Sequence, residues 1–177
     1  MNNKKLNISL FYAITLLQGM VFYGPIATLY RQAQGLSMFD ITLIESISLV
    51  GMLMLEIPWG CLADKIGYKN TILICNILFF ISKLIFWKAN GFSLFLLERL
   101  ILAVVLSGLS GCDSAYLYIL AGEKNSQKVF GTYGAMSAGG LVFASVVFSG
   151  IIKDNYRLAA FFTVLSYMAA MIISFFL

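Results

Sequence analysis

The sequence contains no histidine, only three cysteines and few charged residues: Asp, Glu, Lys and Arg together make up 11% of its 177 residues. Without histidine or a Cys-x-x-Cys pair, we expect no metal site and no cofactor. The chain also lacks a nucleophile elbow, and it has no phosphate-binding glycine loop outside its apolar stretches, so an enzyme is not expected. The net charge of +4 bears on anionic lipid headgroups, and we expect no nucleic-acid partner.

Most of the chain is hydrophobic: 60% of the residues are of hydrophobic types, and the mean hydropathy is +0.90. This composition leaves too little polar surface to cover a water-soluble globule, so the lipid bilayer is the expected surrounding. Each of six stretches is close to the roughly 20 residues that cross a bilayer as a helix. Because the stretches are continuous rather than alternating, we predict an all-α integral membrane protein with one membrane domain over residues 1–177. The predicted spans are residues 8–30, 41–62, 70–87, 94–118, 130–152 and 156–177.

Basic residues in the predicted loops give the orientation, because loops on the cytoplasmic side carry an excess of Lys and Arg. With the N-terminus in the cytoplasm, the inner segments hold six such residues and the outer segments hold four. The count favours a multi-pass protein of the inner (plasma) membrane with a cytoplasmic N-terminus.

A short charged turn separates the second and third apolar stretches, with the sequence Gly60-Cys61-Leu62-Ala63-Asp64-Lys65-Ile66-Gly67-Tyr68-Lys69. A turn of this kind belongs at a membrane surface. Further motifs accompany it in order: Gly35-Leu36-Ser37, Ile44-Glu45-Ser46, Glu56-Ile57-Pro58-Trp59-Gly60, Ser110-Gly111-Cys112-Asp113-Ser114-Ala115, Val129-Phe130-Gly131 and Tyr133-Gly134-Ala135. Together they resemble the N-terminal six-helix half of a major facilitator transporter, in a bacterial subgroup often labelled as sugar or drug efflux permeases. Two departures are Ala103, where the family often has glycine, and a fifth span without proline, which puts a drug-proton antiport label in doubt.

The resemblance implies six helices arranged as two inverted three-helix repeats, and a secondary transporter that moves a small solute by alternating access. It also implies a cytoplasmic conformational latch, in which Asp64 engages the opposite half and Lys65 or Lys69 pairs with Glu123. The residues expected to form this latch are Gly60, Asp64, Lys65, Gly67, Lys69 and Glu123. Solvated turn charges that only mark the membrane boundary are the alternative. Gly150, Asp154 and Arg157 echo the motif at the matching turn of the second repeat.

Charged residues at membrane depth need a partner or a water-filled cavity, since insertion scales put their cost at about 2.5–3.5 kcal/mol each. Lys83 and Glu98 lie almost equally far from the turn between the third and fourth stretches, which predicts a structural ion pair between them. The alternative is a Lys83 that snorkels outward. Arg99 is turned about 100° from Glu98 and should not share its face. The resemblance makes Arg99 the first choice for binding an anionic substrate group or a coupling proton carrier, with a structural arginine as the alternative.

Other residues of the predicted substrate or coupling path are Gln18, Tyr23, Glu56 and Asp113. Gln18 and Tyr23 belong to the first span, which lines the cavity in the family. The helical geometry puts Asp113 roughly 20 Å further along the fourth span than Arg99, opposite Ala138 and Gly139, so either proton exchange or a structural role fits it.

Facilitator transport needs two six-helix bundles, and this sequence accounts for one. The expected partners are therefore a small-molecule solute and either a missing C-terminal half or a second copy of the chain. A non-transporting membrane scaffold, or a truncated inactive product, is the alternative from a different functional class.

Overall fold

The computed structural model describes residues 2–152 and 155–177. Within these ranges eight α-helices follow one another: α1 (Asn2–Gly19), α2 (Ala27–Ala33), α3 (Met38–Ile66), α4 (Tyr68–Lys88), α5 (Gly91–Leu109), α6 (Cys112–Ala121), α7 (Ser126–Val147) and α8 (Tyr156–Ser174). Short 3-10 turns lie at Gly24–Ile26 and Glu123–Asn125, and a π-helical turn lies at Phe148–Ile152. No strand occurs in the described ranges.

These helices form six segments that are long and apolar enough to cross a membrane, which confirms the predicted all-α membrane fold. We number them span 1 to span 6: Lys4–Ala33, Met38–Ile66, Tyr68–Lys88, Gly91–Ala121, Glu123–Ile152 and Tyr156–Ser174. The first five begin two to seven residues earlier than the apolar stretches suggested, because polar and charged residues continue the helices beyond the hydrophobic runs.

Span 2 has well-defined ends. Ser37 begins it with a capping box, in which the Ser37 hydroxyl accepts from the Asp40 amide while the Asp40 carboxylate accepts from the Ser37 amide. Gly67 ends it with a φ of +85°, a conformation that only glycine adopts without strain. The turn predicted from Asp64 to Lys69 is therefore a sharp reversal between spans 2 and 3, and we call this end of the bundle the motif end.

The packing of the spans repeats when spans 1, 2 and 3 are exchanged for spans 4, 5 and 6. Span 1 packs along spans 5 and 6, just as span 4 packs along spans 2 and 3, and spans 3 and 6 pack on each other. Consecutive spans alternate in direction, so the two three-helix units are inverted relative to one another. The motif echo at Gly150 and Asp154 includes a residue, Asp154, that lies outside the described residues.

Helix interruptions follow the same symmetry, because span 1 is broken at residues 20–23 and span 4 at Ser110 and Gly111. Backbone groups freed at the first break find hydroxyl partners on span 6. The Phe22 amide donates to Thr163 Oγ1 at 3.0 Å, and Tyr167 donates to the Gln18 carbonyl at 2.7 Å. Such partners make a broken helix tolerable at membrane depth, where unpaired backbone groups are costly.

Two spans are much less covered than the others. In spans 2 and 5, only 17% of the most apolar segment is buried, against 33–44% in the other four. Apolar side chains such as Met54, Ile57, Val142 and Val146 lie exposed there. These two faces of the bundle are therefore available to lipid or to another helical unit.

Candidate functional site

Four charged side chains from spans 1, 2 and 4 meet near the end of the bundle opposite the motif end. They are Arg31, Glu45, Glu98 and Arg99, and we call them the charge cluster. Glu45 and Glu98 are each the eighth residue of their span, so both lie about 10 Å along helices that start at the same membrane face. Arg31 reaches them from the last turns of span 1.

Glu45 is the acceptor of the two short ion pairs in this cluster. Its Oε1 lies 2.7 Å from Arg31 Nη1 and 2.5 Å from Arg99 Nη2. Glu98 Oε2 stands further away, 3.7 Å from Arg31 Nη2 and 3.8 Å from Arg99 Nε. Those distances are too long for hydrogen bonds, and Glu98 Oε2 and the Nε atoms of both arginines have no hydrogen-bond partner among the described residues.

Burial differs sharply within the charge cluster. Arg31 and Glu98 are 2% and 1% exposed, whereas Glu45 is 38% exposed. The Arg31 guanidinium also lies 5.7 Å and 5.9 Å from the ring centres of Phe86 and Phe95, which favours a cation in a site with little water. Glu45 is thus the member of the cluster that a polar group from outside could replace most easily.

The helical angle predicted that Arg99 and Glu98 lie on different faces, but their side chains approach each other. Both side chains are long enough to bend towards Glu45 and Arg31, and they approach to 3.8 Å. Span 2 is also tied to this turn through Ser48, whose hydroxyl donates to the Arg99 carbonyl at 3.0 Å. Arg99 is 22% exposed, so the predicted path residue lies at the margin of the core.

The predicted direct ion pair between Lys83 and Glu98 is not formed. Lys83 Nζ donates instead to the Tyr23 hydroxyl at 3.1 Å and lies over the rings of Phe79 and Tyr167. The two side chains have different neighbours, since Lys83 contacts Tyr23 while Glu98 lies nearest to Arg31 and Arg99. Lys83 is 5% exposed, so it does not snorkel outward either.

Two residues of span 1 that were predicted to contact the substrate form contacts with other spans of the bundle. Tyr23 is 6% exposed, stacks on Phe86 at 4.0 Å and accepts the hydrogen bond from Lys83. Gln18 donates to Asn76 Oδ1 at 2.6 Å and is only partly buried. Tyr23 therefore serves the interior packing, while a role of Gln18 in solute binding stays a prediction.

Asp113 is the second residue of α6, directly after the break in span 4. The break passes through Gly111, whose φ is +81°. Tyr133 of span 5 donates to Asp113 Oδ2 at 3.3 Å, and Asp113 Oδ1 is buried without a hydrogen-bond partner among the described residues. The prediction put the partner of Asp113 near Ala138 and Gly139. The partner in the structure is instead the hydroxyl of Tyr133, which lies closer to the start of span 5.

The predicted latch residues are largely open. Asp64 and Lys65 are exposed, and no atom lies within 4 Å of the place where a Cβ on Gly60 or Gly67 would stand. Glu123 forms no ion pair with Lys65 or Lys69 among the described residues, while the Lys69 ammonium contacts the Leu177 carbonyl oxygen. The expected lysine–glutamate pair is therefore not formed within the described ranges, where Glu123 lies in the 3-10 turn between spans 4 and 5.

Glu56 is exposed on span 2 and forms no ion pair in the part of the chain that the structure describes. Sequence reasoning missed Arg31, Glu45 and Asn76. Arg31 follows the first apolar stretch, so the sequence pattern places it in an outer loop, and Glu45 stands in the sequence only as part of the Ile44-Glu45-Ser46 motif. One available signal was position: Glu45 lies as deep in span 2 as Glu98 lies in span 4.

Comparison with known proteins identifies relatives for nearly the whole chain. The model of the Major Facilitator Superfamily matches residues 8–177. The quinolone resistance protein NorA of Staphylococcus aureus is 24% identical over 164 residues, which is 90% of this chain and 41% of that protein. The L-fucose-proton symporter of Escherichia coli is 29% identical over 118 residues, covering 62% of this chain and 27% of the symporter. This chain thus spans less than half the length of these relatives.

Proposed function

Because this chain belongs to the Major Facilitator Superfamily, whose members are membrane transporters, we propose that it forms the N-terminal half of a secondary transporter that moves a small solute by alternating access. The observation that carries the proposal is the match over residues 8–177 in a bundle whose spans 2 and 5 are poorly covered. A second six-helix unit that packs on those two spans would complete a central path. That unit is a C-terminal half or a second copy of this chain.

The names of the relatives suggest the proposed solute and the proposed direction of transport. NorA is named for quinolone resistance and the symporter for L-fucose and protons, so we propose a drug-like compound or a sugar as solute, with efflux as the direction. Within the charge cluster, Arg99 is the proposed contact for an anionic group. Such a group would compete with the half-exposed Glu45 for the two guanidinium groups, which bind carboxylates through paired hydrogen bonds.

Asp113 is the proposed coupling residue. A carboxylate at membrane depth without a cation partner is costly in its charged form, which favours binding of a proton. Asp113 meets this description, since it accepts a hydrogen bond from the Tyr133 hydroxyl, its Oδ1 has no hydrogen-bond partner, and it forms no ion pair among the described residues. We expect Asp113→Asn to abolish accumulation driven by a pH gradient while leaving solute exchange intact. Equal loss of both activities would argue for a structural role.

The exposed glycine and carboxylate at the motif end support a latch against the second unit. Gly60 leaves space on span 2 for a close helix, and Asp64 offers a negative charge to the positive end of a helix dipole. Lys65, Gly67 and Lys69 complete the turn, and Glu56 lies on the same poorly covered span. In this proposal the motif end faces the cytoplasm of a cell whose plasma membrane holds the protein.

A transport assay tests the function directly. Membrane vesicles that carry the protein as its gene encodes it are given labelled L-fucose or a fluorescent quinolone under an imposed pH gradient. We expect the unmodified protein to show flux and Asp64→Ala to abolish it. Lys124→Ala, which deletes an exposed charge at the same end, should keep the flux. Absence of flux with every probe favours the scaffold alternative, and equal flux in both variants contradicts the latch.

Topology has a separate test. A single cysteine at position 124, in a chain whose native cysteines are replaced by serine, should react with a membrane-impermeant maleimide only in inside-out vesicles. Reaction in right-side-out vesicles would reverse the proposed orientation.

A further inference from the structure

A cavity of about 360 Å³ lies at the motif end, between the start of α1, the end of α6 and the start of α7. Its polar lining consists of Lys4, Lys5, Lys128 and Asn125. Ile8 and Leu120 are among the apolar side chains of its lining. Its lining shares no residue with the charge cluster or with the predicted latch residues, and Glu123 is the latch residue that lies beside it in the chain, between Ala121 and Asn125.

The charge of this cavity is unbalanced. Among the described residues, three lysines line it and no carboxylate does. None of these lysines forms an ion pair within the described ranges, where every recorded ion pair involves the arginines of the charge cluster. Like charges gathered at one site repel one another, so the arrangement favours an anion that all three can approach.

The position of the cavity indicates which anion. Span 1 begins at Lys4, span 4 ends at Ala121 and span 5 begins at Glu123, so the lysines stand where the hydrocarbon region gives way to headgroups. Basic pockets between membrane helices at this level suit the phosphate of anionic lipids. Ile8 and Leu120 continue from the lysines towards the hydrocarbon region, and they can line the first carbons of an acyl chain.

We propose that this cavity binds the headgroup of an anionic phospholipid. The lysines bind the phosphate oxygens, and the Asn125 amide can donate a further hydrogen bond. A free phosphate ion has the same negative charge but no acyl chain to pack on the apolar walls, so a lipid fits the cavity better.

Lipid binding to the purified protein in a nonionic detergent tests this inference. Native mass spectrometry compares phosphatidylglycerol with phosphatidylcholine of the same acyl chains, and a competition arm adds inorganic phosphate in large excess. We expect phosphatidylglycerol to bind at least about tenfold more tightly than phosphatidylcholine, and Lys128→Gln to weaken it about fivefold, as a lysine near an anionic surface contributes about 1 kcal/mol. Lys5→Gln provides a second, independent variant.

Lys88→Gln is the matched control, because Lys88 is a basic residue at the other end of span 3. We expect it to bind phosphatidylglycerol as the unmodified protein does. Equal affinity for the two lipids, or equal weakening by Lys128→Gln and Lys88→Gln, would overturn the proposal. Full displacement of the lipid by inorganic phosphate would also overturn it, since the site would then recognise the free anion alone.

Discussion

Gly140 is the position where one added methyl group should damage the bundle most clearly. A Cβ there would stand 2.2 Å from the Leu16 carbonyl oxygen and 3.0 Å from the Gly19 backbone, whereas ordinary contacts begin at 3.4 Å. The conflict is reciprocal, because a Cβ on Gly19 would stand 2.4 Å from the Ser137 carbonyl oxygen. Spans 1 and 5 therefore touch backbone to backbone.

The loss of stability in Gly140→Ala depends on which of the contacted groups can move. Neither contacted group is a flexible side chain, so Gly140→Ala has to push spans 1 and 5 apart by about 1 Å. Overpacking typically costs about 1–3 kcal/mol, and we expect the upper end because two helix backbones must move. The substitution also gains up to about 1 kcal/mol of helix propensity, which leaves a net destabilisation of about 2 kcal/mol.

The same helix provides matched controls. No atom lies within 4 Å of the Cβ position of Gly131 or Gly134, so Gly131→Ala and Gly134→Ala keep the propensity gain without the clash. Thermal unfolding in detergent should place Gly140→Ala on the order of 10 °C below these controls, given the usual 2–4 °C per kcal/mol for chains of this size. If all three variants unfold within a degree or two of one another, the close contact between spans 1 and 5 does not exist.

Three further variants test other parts of the fold by their unfolding midpoints. Arg31→Met should destabilise by about 3–5 kcal/mol, since it leaves the buried Glu98 with Arg99, 3.8 Å away, as the remaining cation of the charge cluster, and an effect no larger than that of the exposed Arg157→Met would contradict this. Ser37→Ala should cost about 1 kcal/mol through loss of the capping box, and Ser37→Asn should restore most of it. Gly108→Ala brings a methyl group to 2.7 Å from the Cys75 sulfur, so adding Cys75→Ala should recover part of the loss.

Much of the architecture could be predicted because it depends on hydrophobic length and on local turn chemistry. A run of apolar residues about as long as the bilayer is thick has only one structure that pairs all its backbone groups, so six runs gave six helical spans. Gly67 and the charges around it likewise fixed the turn after span 2, because its positive φ is a local property. Motif order along the chain was enough to identify the family.

Side-chain partners in the site were harder to predict. Counting residues predicts the same depth for Lys83 and Glu98, yet Lys83 donates to Tyr23, and Glu98 lies nearest to the two arginines. Asp113 found a tyrosine on span 5 rather than the small residues predicted opposite it. Depth along a helix follows from counting residues, but the rotation of that helix and the choice of neighbour do not.

The sequence by itself determined that this chain lives in a membrane, crosses it six times as helix and belongs to a transporter family, because composition and motif order are properties of the chain alone. Only the tertiary structure decided that Arg31 and Glu45 join Arg99, that spans 1 and 5 meet at glycines, and that three lysines line one cavity. These contacts join residues far apart in the chain. They depend on how whole helices rotate and pack, which no short stretch of sequence contains.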